Sequence, residues 1–303
     1  MNDRNGMEQL RRQQAHFGAH QEREEEEEED DDDNEPRGTT HAGPYDVRRM
    51  LLTEEERGWA LAIKTAIEES NEVDNLSDFW YGQLALIEKD NVDEAVSRAY
   101  QLQELRQEYG IVDSFEYGRR VIHQSMELFP GYYLCYSFNH RDGNYVLVVD
   151  LTKLPMSIFR TNSAAIITKV QEIYFMCNIM SPDMEAIRRG IICLAECEGY
   201  HFQHDIGVGI WRRVWDLVVP YPLRLQKLKH FHTGVFANLM VSMVRQFLPS
   251  SLSQKIEVGC RCEAGRLDRV YLTPNAQAAN QRILCRLEDA LRRRYENEAT
   301  FAL

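Results

Sequence analysis

The sequence predicts an α/β fold in which a small N-terminal helical region precedes a domain built on a mostly parallel sheet. Three observations carry it. Helical repeats occupy the chain from about Thr53 to Gly110, two strand-like runs joined by an Asp-Gly loop follow Pro130, and short apolar runs then alternate with helical ones.

Residues 1–44 show no hydrophobic period and are expected to form a disordered acidic tail. Order begins at Thr53, whose hydroxyl stands three residues ahead of Glu56 in the capping-box spacing that satisfies free helical N–H groups. The helix it opens runs to about Ser70, with Trp59, Ile63, Ala66 and Ile67 on one face. Ser77 marks a second helix start. A third helix, from about Val92 to Tyr109, turns Val96, Ala99, Leu102 and Leu105 inward and stops at Gly110. These helices are assigned to residues 45–118.

Residues 132–138 and 145–150 read as two strands of a hairpin. Beyond them a helix is expected over 163–180, a strand over 190–197, a helix over 206–218 and a strand over 228–232. A helix over 236–248 and a strand over 255–260 complete the series within a sheet domain spanning 119–275. The last segment, 276–303, is expected to be a helix striped by Ala276, Ala279, Ile283, Leu287, Ala290 and Leu291. Arg292, Arg293 and Arg294 would lie in its last turns, where cations favour the helix dipole.

The formal charge of −13 is unevenly placed. Between Glu22 and Glu35 twelve carboxylates face one arginine, a net −11, and taking −11 from −13 leaves −2 for all other residues. A near-neutral body carries no basic field, so no nucleic-acid partner is expected. Because 44% of residues are apolar, the body can bury a sizeable core. The first residues are polar and lack an apolar h-region, so a cytoplasmic protein is expected. The longest stretch free of formal charge, 230–244, would reach roughly 22 Å as a helix against a hydrocarbon core of about 30 Å, so no membrane span is expected. Seven scattered cysteines then read as reduced thiols.

Catalytic patterns are absent from the sequence. It has no Gly-x-Ser-x-Gly elbow, no phosphate-binding Gly-x4-Gly-Lys loop and no His-Glu-x-x-His, and Gly207-Val-Gly209 is half of a dinucleotide fingerprint. Cys193, Cys197, His201 and His204 have a spacing that superficially suits zinc. Zinc ligands converge at about 2.0–2.3 Å, whereas strand residues four apart sit roughly 13 Å from each other, so buried thiols and loop histidines are expected instead. Asp150, Glu196 and Glu198 read equally as an acid–base group or as solvated strand ends. No catalytic residue and no metal ligand is assigned.

Phe236, Leu239, Met240, Met243, Val244 and Phe247 recur at helical spacing in a helix whose other side offers only Asn238, Ser242 and Gln246. The surrounding segment begins Tyr221-Pro-Leu-Arg-Leu-Gln-Lys-Leu-Lys-His-Phe-His-Thr-Gly, continues through that helix to Phe247-Leu248, and ends in Lys255-Ile-Glu-Val. It resembles the signature of the CRAL-TRIO lipid-binding family, in which an aromatic-Pro turn, a strand, an apolar gate helix, a Phe-Leu pair and a Lys-Ile strand follow in order. Gly190-Ile-Ile-Cys-Leu-Ala-Glu-Cys-Glu-Gly199 is similar to the family's apolar strand, with Glu196 where Asp is usual, and Asn91 to Gly110 resembles the helices upstream. The pattern is most similar to the tocopherol-transfer and retinal-binding group of that family.

The resemblance implies a non-catalytic carrier with no cofactor beyond one bound lipid, working in the cytoplasm and transiently on membranes. Ile191 and Ala195 match pocket-facing strand positions, Leu223 and Leu228 match wall positions, and Leu217 falls near another. The gate residues Phe236, Leu239, Met240, Met243, Val244 and Phe247 would close the cavity. Of four basic positions that the phosphoinositide-exchanging members carry, Arg224 and Lys255 keep their charge, Ser251 has lost it and Glu88 reverses it. Lys227 matches a headgroup lysine of the phosphatidylinositol branch, but Arg189 stands where its Glu partner belongs. At about 1 kcal/mol per cation near an anionic surface, these departures weaken phosphoinositide capture by a few kcal/mol. A second reading is a divergent CRAL-TRIO interaction module of the small-GTPase-binding type, with the acidic tail docking on a basic protein partner.

Overall fold

The Glu56 amide donates to Thr53 Oγ1 at 3.2 Å while the Thr53 amide donates to Glu56 Oε2 at 2.8 Å, so the capping box closes as the sequence implies. It opens α1 (Glu54–Ser70) in the computed structural model, which describes residues 51–70, 73, 76–139, 144–154, 156–200, 208–259 and 276–303. The acidic tail lies outside the described residues. In α1 the buried stripe is Ala60, Ile63 and Ile67, with Trp59 and Ala66 half-buried at its margins.

Ser77 precedes α2 (Asp78–Glu88), but its hydroxyl donates to Glu298 near the C-terminus instead of capping the helix. Asn91 does cap α3 (Val92–Glu108), accepting from the Glu94 amide at 3.3 Å. The chain then turns at Gly110, whose φ of +60° suits glycine. α4 (Phe115–Leu128) has no counterpart among the sequence-based elements. It buries Gly118, Val121, Ile122 and Ser125, a face half made of small residues. Gly118 allows close approach, since a Cβ there would stand 2.5 Å from the Phe175 ring.

The sheet has the order β1-β2-β3-β4-β5. β1 (Tyr133–Asn139) and β2 (Asn144–Asp150) pair antiparallel, Tyr136 opposite Leu147, and the Asp-Gly loop between them is outside the described residues. A 3-10 turn (Leu151–Lys153), α5 (Met156–Thr161), α6 (Ser163–Met180) and α7 (Met184–Arg189) then lead to β3 (Ile191–Glu196), which runs parallel to β2. α8 (Val208–Val218) connects β3 to β4 (Leu225–Phe231). α9 (Val235–Phe247) and α10 (Ser250–Ser253) connect β4 to β5 (Ile256–Val258), and both of these pairings are parallel. The mostly parallel sheet is as the sequence predicts.

β4 starts three residues earlier than its expected start at Leu228, because a bulge intervenes. Ile191 lies opposite Leu225 and Ile192 opposite Lys227, so Gln226 is passed over. The bulge turns Leu225 and Leu228, three apart, to one face. Gly190, with φ +79°, admits the Arg224 carbonyl, which would lie 2.7 Å from a Cβ at that position. The Ile191 amide donates to the same carbonyl at 2.9 Å. Asn144 Nδ2 in turn donates to the Gly190 carbonyl at 2.8 Å and fixes the starts of β2 and β3 together.

Alternation then divides the sheet into two faces. Val146, Val148 and Cys135 pack with Ile192 and Leu194 on one, whereas Leu147, Val149, Ile191 and Ala195 belong to the main core on the other. The last helix, α11 (Ala276–Thr300), packs on β1, α4 and α6 through Ile283, Leu287, Ala290 and Leu291. It runs beyond the arginines, which corrects their expected place in its last turns. Arg294 is fully buried, pairs with Glu298 at 2.7 Å and stands 4.0 Å above the Phe79 ring. Among the described residues no helix is long and apolar enough to cross a membrane.

Candidate functional site

Helices α6, α8 and α9 enclose a cavity of about 160 Å³ against the main-core face of the sheet. Its floor is Leu147 and Val149 from β2, Ile191, Cys193 and Ala195 from β3, and Leu225, Leu228 and His230 from β4. Every second residue of β3 faces inward, as the pleat requires. α8 contributes Trp211, Val214, Trp215 and Val218, and α9 contributes Ala237, Met240, Val241 and Val244. Both sets follow the i, i+3, i+4, i+7 spacing that places four side chains on one helix face. Met176, Cys177 and Met180 of α6 and Tyr132, Tyr133 and Tyr200 complete the walls.

The structure brings Ile191, Ala195, Leu223, Leu228, Met240 and Val244 together at this cavity. Leu217 is fully buried in the main core and does not border it. On α9, Phe236 and Met243 are half-buried against the core, and Phe236 lies 6.0 Å from the Tyr200 ring, while Leu239 faces outward at 55% exposure. The side chain of Phe247 is outside the described residues. Ala237 and Val241 line the cavity without having been singled out in the sequence, and so does Trp215. The period that relates them to Met240, Val244 and Trp211 was the signal that could have found them.

The lining is uncharged. Burial pushes the Cys193 and Cys197 thiols up to about 12, so neither is a thiolate at neutral pH. Burial pulls His230 down to about 4 and leaves its imidazole neutral. Behind the wall, Lys169 pairs with Glu172 at 2.8 Å and stands 3.5 Å above the Tyr132 ring, while the Tyr133 hydroxyl donates to Glu172. This buried charge pair lies beside the cavity and is not part of its lining. Among the described residues no group of three or more His, Cys, Asp or Glu could hold a metal ion, and His201 and His204 lie outside them. Asp150 caps the turn after β2 by accepting from the Thr152 amide at 2.9 Å.

The possible headgroup cations separate into two situations. Lys227 is paired with Glu257 at 3.0 Å. Lys255 and Arg224 lie close enough that, after burial, the Arg224 charge helps to lower the lysine. Arg224 also donates to the Arg188 carbonyl at 2.7 Å. Glu88 forms a pair with Arg98 at 2.6 Å, and Arg189 one with Glu185 at 2.5 Å. The side chain of Ser251 is outside the described residues.

No protein-family model matches the chain, and no curated protein matches it. Among solved structures it is similar to the crystal structure of Sfh5, with a TM-score of 0.50 and 9% identity over 78% of this chain and 97% of that one. At that identity the likeness speaks for the fold alone. The chain therefore shares the mixed α/β fold of that structure, with helices before a mostly parallel five-stranded sheet.

Proposed function

We propose that this chain is a non-catalytic carrier that binds one hydrophobic lipid in the cavity over β2, β3 and β4 and moves it between membranes, with α9 as the gate. What supports it is the cavity lining, which offers aliphatic, aromatic and sulfur surface and no charge. Such a lining rewards burial of an apolar molecule at roughly 25 cal/mol per Å² and offers no way to hold an ionic one. The carrier works from the cytoplasm and meets the membrane transiently.

A cavity of about 160 Å³ is of the size that admits a benzene-sized molecule, whereas a drug-sized or larger ligand needs about 300–1,000 Å³. Loading therefore displaces a wall, and α9 is the wall with least to lose. Val235 at its start is 89% exposed and Leu239 55% exposed, so its outer side already holds two apolar side chains in water among Asn238, Ser242 and Gln246. Lids of this kind move on microsecond to millisecond timescales. Tocopherol-, retinoid- and phospholipid-like ligands all remain within this reading, and Arg224 with Lys255 is the part of the surface suited to an anionic headgroup.

Protein purified without detergent and extracted with organic solvent should yield one lipid per chain by mass spectrometry. An empty protein that moves neither tocopherols, retinoids nor phospholipids between vesicles would remove the proposal.

A further inference from the structure

Two side chains that line the cavity carry a buried polar atom without a hydrogen-bond partner among the described residues: His230, at Nδ1, and Trp215, at Nε1. His230 is only 9% exposed. They belong to one region of the wall, since Trp215 and Leu228 both pack against the cluster of Val241, Leu248 and Ile256, and His230 follows Leu228 by two residues on the same strand face.

Their chemistry is complementary. The His230 ring is hydrogen-bonded to the Glu257 backbone, and because Nδ1 is without a partner that bond is made by Nε2, donating to the carbonyl. Nδ1 therefore presents a lone pair, an acceptor. The indole Nε1–H can only donate. One group that satisfies both at once is a hydroxyl, which gives its proton to one partner and accepts from the other.

We propose that the cavity selects a ligand with one uncharged hydroxyl, donated to His230 Nδ1 and accepting from Trp215 Nε1–H, with the apolar remainder of the ligand against the other walls. The inference rests on the cavity being a lipid site. It narrows the ligand to a lipid alcohol or phenol, setting aside pure hydrocarbons, esters and carboxylates. A ketone or an ester could accept from Trp215 but has nothing to give to Nδ1. A carboxylate would need a cation, and burial keeps the imidazole neutral.

The test uses the full chain and diphenylhexatriene, an apolar dye with no hydrogen-bonding group, displaced by dodecan-1-ol or by dodecyl methyl ether. The ether is the more apolar of the two and would displace better if partition alone decided. We expect the alcohol to displace the dye at about tenfold lower concentration, as befits one buried hydrogen bond made rather than left unmade. His230→Phe should bring alcohol and ether to within about twofold of each other, a ratio that does not depend on the dye's own affinity. Trp215→Phe should weaken both competitors relative to the dye, whose affinity is measured in the same variant, because both accept from the indole. Equal displacement of the dye from the unsubstituted protein overturns the proposal while leaving the carrier reading standing. A tenfold preference that survives His230→Phe, or an alcohol affinity unmoved by Trp215→Phe, overturns it too. A protein that does not bind the dye at all removes the cavity reading and this inference together. Should His230→Phe fail to fold, the comparison in the unsubstituted protein and the Trp215→Phe result decide.

Discussion

His232 Nδ1 lies 2.8 Å from Glu196 Oε2, so a single side-chain pair joins the end of β3 to the residues that open α9. Glu196 is held in place itself, accepting at Oε1 from the amides of Cys197 and Glu198 at 2.8 and 2.7 Å. His232 adopts φ +48°, the left-handed region that a non-glycine residue enters only when its surroundings demand it. At the other end of α9, Arg245 donates to the Ile256 carbonyl. The helix is thus pinned at both ends, and its middle covers the cavity. Glu196→Gln keeps the shape of the side chain and removes its charge, a loss of about 1 kcal/mol that favours opening about fivefold. Transfer of a fluorescent lipid between vesicles should speed up by about that factor, with thermal stability nearly unchanged. An unaltered transfer rate would deny the pair any part in gating.

Ala195 is 2% exposed and projects from the C-terminal end of β3 into the cavity. Replacing it with Phe fills space that a ligand needs, at a cost of about 1–3 kcal/mol where the ring crowds its neighbours. Ala195→Phe should fold with its helical circular dichroism intact and bind less than a tenth as much diphenylhexatriene. Full binding would place the ligand elsewhere.

The elements were legible where one face is apolar and the other is not. The helix at Ser163–Met180 was expected over those same residues, the hairpin strands were found as two runs joined by an Asp-Gly loop, and β3 as a short apolar run bounded by glycine. α4 was overlooked although its buried residues, Gly118, Val121, Ile122 and Ser125, follow the i, i+3, i+4, i+7 spacing of a helix face. α9 mixes Val235 and Leu239 with Asn238, Ser242, Arg245 and Gln246 on its exposed side, so its existence was plain and the rotation of its apolar face was not. The structure turns Ala237, Met240, Val241 and Val244 to the cavity and leaves Leu239 in water. Leu217 was implied by a resemblance at a position where the helical period, applied from Trp211, gives Val214, Trp215 and Val218 instead. His230 and Trp215 could not be read as polar cavity atoms from sequence, because that depends on which partners the fold denies them.

Under the carrier proposal, the membrane contact is expected at the outer side of α9. Val235 and Leu239 are exposed at 89% and 55%, and burying such side chains in a bilayer interface gains up to about 1.5–3 kcal/mol each. Substituting both with Asp replaces that gain with a desolvation penalty. The double variant should bind diphenylhexatriene as well as the parent does and cosediment with vesicles at least tenfold less. Unchanged cosedimentation would move the membrane contact to another surface.

Arg294 tests how the C-terminal helix is held to the N-terminal helices. Its guanidinium is fully buried against Phe79 and paired with Glu298, yet Nε and Nη2 have no hydrogen-bond partner among the described residues. Arg294→Ala leaves a void and an unpaired carboxylate and should lower the unfolding free energy by about 3 kcal/mol. Arg294→Met fills the space without the charge and should cost less than about 1 kcal/mol, since a buried ion with unmade hydrogen bonds gives little net stability. Equal losses in urea titrations of the two variants would show that the charge itself matters.

Acid should weaken the protein in two stages, and His230 accounts for the first. Its pKa falls from 6.5 to about 4 on folding because burial disfavours the imidazolium. Between those values the unfolded chain holds a proton that the folded chain refuses, so stability is full above pH 6.5, declines as pH falls and levels off below about 4. The whole loss is about 3 kcal/mol. Glu56 and Asp78 act in the same direction at lower pH, held low chiefly by their hydrogen bonds with Arg188 and Lys64. Their contribution is present above the ordinary carboxylate values of 4.5 and 3.8 and disappears as pH drops through their depressed ones, which is the second stage. Urea midpoints measured from pH 7.5 to 3 should therefore slope across the whole range in the parent. In His230→Phe the upper slope, between about pH 6.5 and 4.5, should flatten while the lower one persists, and an upper slope that survives the substitution would mean that His230 is protonated in the folded protein.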